Sequence, residues 1–251
     1  MKRRLGQNFL INNNVAVREV RYAKINKKDI VLEIGPGRGI LTRLLAEKAK
    51  KVITIEIDEK IIRNLIGTLP NNVELIHEDA LKVDFDALSK FNKIVSNLPF
   101  QISSPVTFKF LEHGFSLAVL IYQKEFADRM NAFPGSKDYS RLSVGVYYNA
   151  KCELLETITK TCFKPQPKVD SCLIRLTKRK RPPFSVIDKT FFFDLTKNLF
   201  NHRRKKIKNI LNNLYNFQGN DLPFLEKRVE ELKPEQIGEL SNILFKNLSQ
   251  R

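Results

Sequence analysis

The segment that most constrains the fold is a short apolar run that breaks at a glycine-rich turn and continues into a helix-like stretch. The apolar run is Ile30–Ile34, the turn is residues 35–39 (GPGRG), and the amphipathic stretch extends from Ile40 to Lys50. This order is typical of a nucleotide-binding loop, because glycines let the backbone approach a ligand where a Cβ atom would collide. A plain tight turn is the alternative interpretation.

The same alternation of strand and helix continues along the chain. Further strand-like segments lie at residues 52–56, 73–77, 93–96 and 116–122, with helix-like segments between them. This alternation predicts a doubly wound α/β fold with a mostly parallel sheet and helices on both faces. Two later strand-like segments, residues 152–159 and 171–177, are joined by a connector without a helical pattern. They predict an antiparallel pair at the edge of the sheet.

The composition changes near Lys178, and the pattern becomes all-helical beyond it. We therefore expect residues 1–178 to form the α/β domain and residues 179–251 to form a small all-helical domain. The predicted helices of the second domain are residues 190–200, 205–215, 222–231 and 234–248. Residues 139–149 fit either a helix or a strand.

Polar residues follow three of the predicted strands. Glu56 lies 21 residues after Gly35, where a doubly wound fold places a carboxylate against ribose hydroxyls. Asp79 and Asn97 follow the next two strands along the chain. Because the carboxyl ends of parallel strands share one edge of the sheet, these side chains are expected to converge there. Each acid alone also fits a helix cap or a solvated turn, and Asp58 is predicted to cap the helix that starts at Glu59.

The tetrapeptide that begins at Asn97 combines groups suited to a planar ligand with an exocyclic amino group. Asn97 carries a carbonyl acceptor, Leu98 is pushed towards an extended backbone, Pro99 stiffens the turn and Phe100 offers a flat face. Phe163 begins the proline-containing segment 163–171 (FKPQPKVDS) and is predicted to form a second aromatic wall. The alternative for the tetrapeptide is a plain turn that leaves a strand. The alternative for the segment that begins at Phe163 is a rigid connector between strands.

The net charge is the strongest global signal. The chain carries 44 Lys and Arg against 27 Asp and Glu, which gives a formal charge of +17. Such an excess favours a polyanionic partner, with nucleic acid first and an anionic membrane surface second. Residues 178–208 hold the densest basic run, although such a run also fits a solvated face. The residues expected to contact phosphate groups are Lys2, Arg3, Arg4, Arg203, Arg204, Lys205, Lys206 and Lys208.

Other features exclude several classes of protein. No apolar run approaches the roughly 18 residues of a membrane span. The three cysteines, spaced ten apart, and the three scattered histidines predict neither disulfides nor a metal site. We expect a cytoplasmic protein without a resident metal.

Together, these motifs resemble the ribosomal RNA adenine N6,N6-dimethyltransferases that act near the 3′ end of small-subunit rRNA. The resemblance spans nearly the whole chain, and the HRRKK run at residues 202–206 is most similar to the archaeal and eukaryotic branch. The matching segments are residues 6–10 (GQNFL), 33–39 (EIGPGRG), 55–58 (IEID), 79–80, 97–100 (NLPF), 123–125, 134–137, 141–144 and 163–171.

The resemblance implies S-adenosylmethionine as methyl donor and two adjacent adenosines of small-subunit rRNA as target, in the maturation of the small ribosomal subunit. It implies that Glu56 binds the ribose, Asp79 the adenine of the cofactor, and that Asn97 lies between cofactor and target base. The expected cofactor-binding set is Gln7, Asn8, Leu10, Gly35, Gly37, Glu56, Ile57, Asp79, Ala80 and Asn97. The expected catalytic set is Asn97, Leu98, Pro99, Phe100 and Phe163. We expect a monomer.

One departure from the family pattern leaves alternatives open. Phe100 stands where the dimethylating branch most often has tyrosine, and related enzymes acting on large-subunit rRNA also use phenylalanine. A large-subunit rRNA adenine N6-methylase is therefore the nearest alternative. A non-catalytic RNA-binding assembly factor on the same scaffold is the other, although such a factor has no need of an intact cofactor pocket.

Overall fold

The computed structural model describes residues 7–217 and 221–249, which divide into two compact units. The first unit runs to Ala127 and resumes over Lys151–Lys178. The second unit comprises Asp128–Ala150 and the described residues from Arg179 onward. No helix within the described ranges is both long enough and apolar enough to cross a membrane.

The described chain contains the following strands and helices. The strands are β1 (Phe9–Leu10), β2 (Ile30–Ile34), β3 (Lys51–Glu56), β4 (Val73–His77), β5 (Lys93–Asn97), β6 (Leu117–Gln123), β7 (Ala150–Ile158), β8 (Phe163–Lys164) and β9 (Ser171–Lys178). The helices are α1 (Asn13–Ala23), α2 (Ile40–Lys48), α3 (Glu59–Leu65), α4 (Ser103–Glu112), α5 (Lys124–Met130), α6 (Arg141–Asn149), α7 (Lys189–Phe200), α8 (Ile207–Tyr215) and α9 (Pro234–Ser249).

In the described residues, seven strands form one sheet in the order β4-β3-β2-β5-β6-β9-β7. The first five strands of this order are parallel, whereas β9 is antiparallel to β6. This confirms the predicted Rossmann-like α/β fold with an antiparallel edge and a helical C-terminal region. The apolar character of the central strands fits a parallel sheet covered on both faces, where no side chain meets water.

Local sequence sets several boundaries of the first unit. Asn12 caps α1 by accepting hydrogen bonds from the amides of Asn14 and Val15, and Lys24 ends the helix in the left-handed conformation. Asp58 caps α3 through the amide of Lys60, as predicted. The interior of this unit is an apolar cluster that includes buried residues of α1, α2 and the central strands.

A small antiparallel sheet that the sequence did not predict joins the N-terminal arm to the segment before β9. Strand β1 pairs with β8, with Leu10 opposite Phe163 and Phe9 opposite Lys164. The amide of Ile11 also donates to the carbonyl of Cys162 at 2.9 Å. The arm is therefore fixed by backbone hydrogen bonds next to the carboxyl ends of the parallel strands.

The second unit is helical and has a separate apolar core. Helices α6, α7, α8 and α9 contribute to it, together with residues of the loops between them. Tyr139, Val144 and Tyr148 are buried in this cluster, so residues 128–150 belong with the C-terminal helices. The predicted division into 1–178 and 179–251 places this segment in the wrong unit, because it overlooks those three core residues.

The predicted helix over residues 222–231 is wrong. Phe224 has a φ of 65°, in the left-handed region, and only Val229–Glu231 forms a 3-10 turn. Leu222, Leu225 and Val229 are buried, and their spacing of three and four residues imitates a helical face. The left-handed backbone at Phe224 is incompatible with a right-handed helix that continues through it.

Candidate active site

A cavity of about 340 Å³ lies in the first unit, at the carboxyl ends of the parallel strands. The N-terminal arm, the glycine turn and the segments that follow β3, β4 and β5 form its wall. The sequence-predicted residues that line it are Gln7, Asn8, Leu10, Gly35, Gly37, Glu56, Ile57, Asp79, Ala80, Asn97, Leu98, Pro99 and Phe100. The fold thus brings together residues that are far apart along the chain.

The glycine turn is in close contact with two other walls of the cavity. Gly35 and Gly37 have φ values of 74° and 54°, a conformation that side chains other than glycine rarely adopt. A Cβ atom on Gly35 would lie 3.3 Å from Pro99, and one on Gly37 would lie 2.9 Å from Cδ1 of Phe9. Glycine at these positions therefore lets the N-terminal arm and the Asn97 turn close onto the loop.

Glu56, at the end of β3, is a buried carboxyl group held by backbone amides. Its Oε1 accepts hydrogen bonds from the amides of Ile57 and Asp58, both at 2.9 Å. Burial raises the pKa of Glu56, whereas these backbone hydrogen bonds act in the opposite direction. The carboxyl group is therefore fixed in orientation at the cavity wall, and it can accept hydrogen bonds from hydroxyl groups.

Gln7 is connected to the same region through Asp58. Its Nε2 donates to Oδ2 of Asp58 at 3.3 Å, while Oδ1 of Asp58 accepts from the amide of Lys60 at 2.9 Å. One carboxylate thus caps α3 and anchors the beginning of the described arm.

Asp79 lies in the loop after β4, which is stabilised by a residue that the sequence did not single out. Oδ1 of Asp79 accepts from the amide of Leu81 at 2.9 Å. Lys109, on α4, donates through Nζ to the carbonyls of Ala80 at 3.0 Å, Leu81 at 3.2 Å, and Val83. A lysine in a helix usually faces solvent, so nothing in the local sequence indicated this contact.

The turn from Asn97 to Phe100 leaves one polar atom without a partner. Nδ2 of Asn97 is 3.5 Å from the carbonyl of Asn8. Oδ1 of Asn97 is buried, and no described residue donates a hydrogen bond to it. The carbonyl of Pro99 already accepts the amide of Ile102 at 3.1 Å. A buried acceptor of this kind is costly unless a bound group donates to it, so the site fits a ligand with an N–H or O–H group.

Phe163 does not form a second wall of the cavity, contrary to the prediction. It is buried in the core at 2% exposure and is not among the residues that line the cavity. Its ring centroid lies 6.4 Å from that of Phe100, with the two planes at 65°. Pairing of β1 with β8 draws Phe163 inward, where its ring packs against that of Phe100 edge-on.

Glu33 is a further cavity residue that the sequence prediction missed. It is 1% exposed, and burial raises its pKa to about 8. Glu19, on α1, is fully buried, and burial together with the charge of Glu33 raises its pKa. An acid in the middle of an apolar strand is a signal that could have identified Glu33. Within the residues that the structure describes, no three His, Cys, Asp or Glu side chains are placed to hold a metal ion.

The predicted phosphate-binding residues of the second unit differ in their surroundings. Arg203 forms an ion pair with Oε2 of Glu230 at 2.9 Å and donates hydrogen bonds to two backbone carbonyls. Its guanidinium group is therefore used in contacts within the protein. Lys206 and Lys208 both pair with Glu226 at 2.7 Å, and these pairs lower the pKa of Glu226 to about 2. Arg204 and Lys205 are exposed. Lys2, Arg3 and Arg4 lie outside the described residues.

Comparison with known sequences places the chain in a family. The model of the ribosomal RNA adenine dimethylase family matches residues 1–246. A probable ribosomal RNA small subunit methyltransferase A from Methanococcus maripaludis is 46% identical over 262 residues, covering 98% of each chain. A protein of the same name from Thermococcus onnurineus is 45% identical, covering 97% of this chain and 92% of the relative.

Solved structures are similar over nearly the full length. A dimethyladenosine transferase from Plasmodium falciparum superposes with a TM-score of 0.77 at 32% identity, covering 96% of this chain and 98% of the other. The 23S rRNA methyltransferase ErmE gives a TM-score of 0.67 at 26% identity, covering 93% and 98%. From the family match over nearly its whole length and these full-length relatives, the chain belongs to the ribosomal RNA adenine dimethylase family.

Proposed function

We propose that this protein transfers methyl groups from S-adenosylmethionine to N6 of adenosines near the 3′ end of small-subunit rRNA, as a step in small-subunit maturation. The observation that carries the proposal is the buried, unpartnered Oδ1 of Asn97 at a cavity whose wall also contains Glu56 and Asp79. Family membership and relatives named as small-subunit methyltransferases support the choice of reaction and target.

The residues of the cavity fit S-adenosylmethionine. Glu56 presents a fixed carboxyl group for the ribose hydroxyls, and Asp79 presents an acceptor for the adenine amino group. Gly35 and Gly37 line the part of the cavity assigned to the methionine part, and Asn8 and Leu10 of the arm line the same cavity. When bound, the cofactor supplies an electrophilic methyl group on a sulfonium centre.

Asn97 acts on the target adenine. The N6 amino group is a weak nucleophile because its lone pair is delocalised into the ring. Oδ1 of Asn97 accepts one N6 hydrogen, and the backbone carbonyl of Leu98 accepts the other. The carbonyl of Pro99 is the poorer candidate, since it already accepts the amide of Ile102. These acceptors orient the lone pair and stabilise the positive charge that develops on N6, so geometry and electrostatics lower the barrier without a strong base.

Phe100 stacks on the target base, and Phe163 supports Phe100 from within the core. Base–aromatic stacking contributes about 1–3 kcal/mol in comparable sites. A base within a helix or a tight loop has to be extruded to reach the cavity. The second methyl transfer adds a constraint, because the site must accept a methyl group where an N–H pointed before.

The second unit binds the phosphate backbone of the RNA through Arg204 and Lys205, with Lys206 and Lys208 beside them. Lys2, Arg3 and Arg4 of the N-terminal arm add further contacts. Such contacts position the substrate and contribute little base specificity. The protein acts as a monomer in the cytoplasm, where ribosomal subunits mature.

A large-subunit rRNA target is the second candidate. Phe100 in place of tyrosine and the likeness to ErmE favour it, but that likeness has 26% identity against 44–46% for relatives named as small-subunit enzymes. The two candidates predict methylation of different RNAs.

The test is to incubate the protein with isotopically labelled S-adenosylmethionine and, separately, immature small subunits, naked small-subunit rRNA and naked large-subunit rRNA. The modified adenosines are then mapped by mass spectrometry. We expect dimethyladenosine in small-subunit rRNA near its 3′ end. Label in large-subunit rRNA alone would select the second candidate, and absence of label from all three substrates would refute both.

A further inference from the structure

One exposed aromatic residue of the second unit has no role in the proposed chemistry. Phe133, between α5 and α6, is 71% exposed, the largest fraction among the exposed large apolar residues of the described chain. An isolated exposed apolar side chain needs no explanation by itself. Phe133 is of interest because its loop is held by hydrogen bonds and lies next to the basic run.

The loop around Phe133 is fixed by hydrogen bonds on both sides. The carbonyl of Phe133 accepts two hydrogen bonds from Ser136, one from its amide at 3.1 Å and one from its hydroxyl at 2.7 Å. These hydrogen bonds close a tight turn. The amide of Gly135 donates to the carbonyl of Glu230 at 2.7 Å, and the amide of Tyr139 donates to the carbonyl of Ser136 at 3.2 Å. The backbone of Phe133 is therefore constrained while its ring remains in water.

Arg203 connects this loop to the basic run. Its Nη2 donates to the carbonyl of Ser136 at 2.8 Å, its Nη1 donates to the carbonyl of Lys137, and its Nε pairs with Glu230 at 2.9 Å. Lys137, Arg204 and Lys205 are exposed. Among the described residues, none of these three side chains has an ion pair with an acid. A loop that carries an exposed aromatic ring is thus joined, through one arginine, to a group of exposed cations.

We propose that Phe133 is a stacking platform for an unpaired RNA base, whose flanking phosphates contact Lys137, Arg204 and Lys205. Arg203 is a positioning residue in this arrangement, because its donors are used to hold the loop. The inference rests on the proposed function in that RNA is the substrate, and it adds a base-binding subsite separate from the methylation cavity.

The chemistry of the surface favours RNA over a protein partner. A single exposed ring, in a loop joined to exposed cations, is not the contiguous apolar patch that a protein interface requires. Stacking on an aromatic ring together with phosphate contacts is the usual way in which proteins hold single-stranded RNA. Because the loop is already ordered, little conformational entropy is lost when a base stacks on Phe133.

The test measures binding of the full chain to a fluorescein-labelled, single-stranded RNA made only of adenosine. We expect Phe133→Ala to weaken binding about tenfold, within the range of base–aromatic stacking contributions, and Phe133→Tyr to bind like the wild type. Ile187→Ala is the matched control, because Ile187 is an exposed apolar residue of the same unit, at 51% exposure. It should leave the affinity unchanged.

A second RNA of the same length, with abasic nucleotides, separates stacking from phosphate contact. On the abasic strand, Phe133→Ala should bind as tightly as the wild type. Equal affinity of Phe133→Ala and wild type for the adenosine strand would overturn the proposal, and so would an equal loss on both strands. A wild-type protein that binds RNA in this way but transfers no methyl group would refute the proposed function and leave the stacking platform standing.

Discussion

At the scale of single residues, the cavity is defined by polar atoms that the fold buries and holds in place. Glu56 is 6% exposed, yet its Oε1 accepts two backbone amides. Asn97 has a buried Oδ1 without a donor among the described residues. The unpartnered oxygen of Asn97 destabilises the folded chain unless a ligand donates a hydrogen bond to it, which ties Asn97 to binding rather than to stability.

The first prediction concerns Glu56. In the proposed complex, the carboxylate form of Glu56 accepts hydrogen bonds from the ribose. Because burial raises the pKa of Glu56, the affinity for the cofactor should begin to fall at a higher pH than it would with an ordinary glutamate. Glu56→Gln should weaken S-adenosylhomocysteine binding by about 10- to 100-fold, because a hydrogen bond to a charged group contributes about 1.5–3 kcal/mol. It should also flatten the dependence of affinity on pH.

Calorimetric titrations between about pH 8 and about pH 5 measure both effects. Glu59→Gln is the control, since Glu59 is an exposed acid of α3 that pairs with Arg63. A Glu56→Gln variant with wild-type affinity, or with the wild-type dependence on pH, would contradict the assignment.

The second prediction concerns Glu19, whose two carboxyl oxygens have no hydrogen-bond partner among the described residues. Burial raises its pKa in the folded state above the value of 4.5 for an exposed glutamate. The folded chain therefore retains a proton that the unfolded chain releases, and the free energy of unfolding falls as pH rises above about 4.5. Glu19→Met should raise the free energy of unfolding at neutral pH by about 1–3 kcal/mol.

Urea denaturation at acidic and at mildly alkaline pH measures whether the free energy of unfolding falls as pH rises. The loss of stability with rising pH should be smaller in Glu19→Met than in the wild type. It should not vanish, because Glu33, with a pKa raised to about 8, acts in the same direction. A lower free energy of unfolding for Glu19→Met at both pH values would show that the carboxyl group is satisfied within the fold.

At the scale of secondary-structure elements, local patterns predicted the parallel strands but not the long-range pairings. Strand β2 was predicted with its observed bounds, because its apolar run begins after Asp29 and ends at the glycine turn. The pairing of β1 with β8 joins two-residue strands that are distant in sequence, and no local pattern signals it. For the same reason the burial of Phe163 could not be predicted: it depends on that pairing and not on its neighbours.

The third prediction is that Lys109 organises the adenine end of the cavity. It lies on α4, which follows the Asn97 turn, and it holds three carbonyls of the loop after Asp79. Replacing Lys109 with methionine leaves these carbonyls without their donor and loosens the loop. Lys109→Met should weaken S-adenosylhomocysteine binding about tenfold, and Lys109→Arg should recover part of the loss.

Lys82→Met provides the control, because Lys82 is an exposed lysine of the same loop. The affinity for 5′-methylthioadenosine, which keeps the adenosine and lacks the amino-acid part, should fall by the same factor as that for S-adenosylhomocysteine. Unchanged binding of both ligands by Lys109→Met would exclude a positioning role.

At the scale of the whole molecule, the excess of 17 positive charges is compatible with an RNA substrate. The basic run from His202 to Lys208 was identified from sequence, because its basic residues are adjacent along the chain and can be recognised without the folded structure. The different environments of those cations could not be identified, since Glu226 and Glu230 approach them only in the folded second unit.

The fourth prediction separates phosphate contacts from structural cations. The double substitution Arg204→Glu and Lys205→Glu should weaken binding to rRNA and reduce the slope of log affinity against log salt by about 0.7–0.9 per lost contact. Lys28→Glu with Lys90→Glu changes the net charge equally on exposed lysines of the first unit. If both double variants reduced the slope equally, the basic run would contribute only net charge.

The most direct test of the central claim is the single-turnover rate of methyl transfer to adenosine N6 by Asn97→Ala, measured beside its affinity for rRNA. The unpartnered carbonyl of Asn97 is assigned to the amino group in the transition state, so the rate should fall by about 10²–10³-fold, as when one preorganised hydrogen-bonding group is removed. The affinity for rRNA should stay within about threefold of the wild type. A parallel loss of rate and affinity, or an unchanged rate, would contradict the role of Asn97 in catalysis.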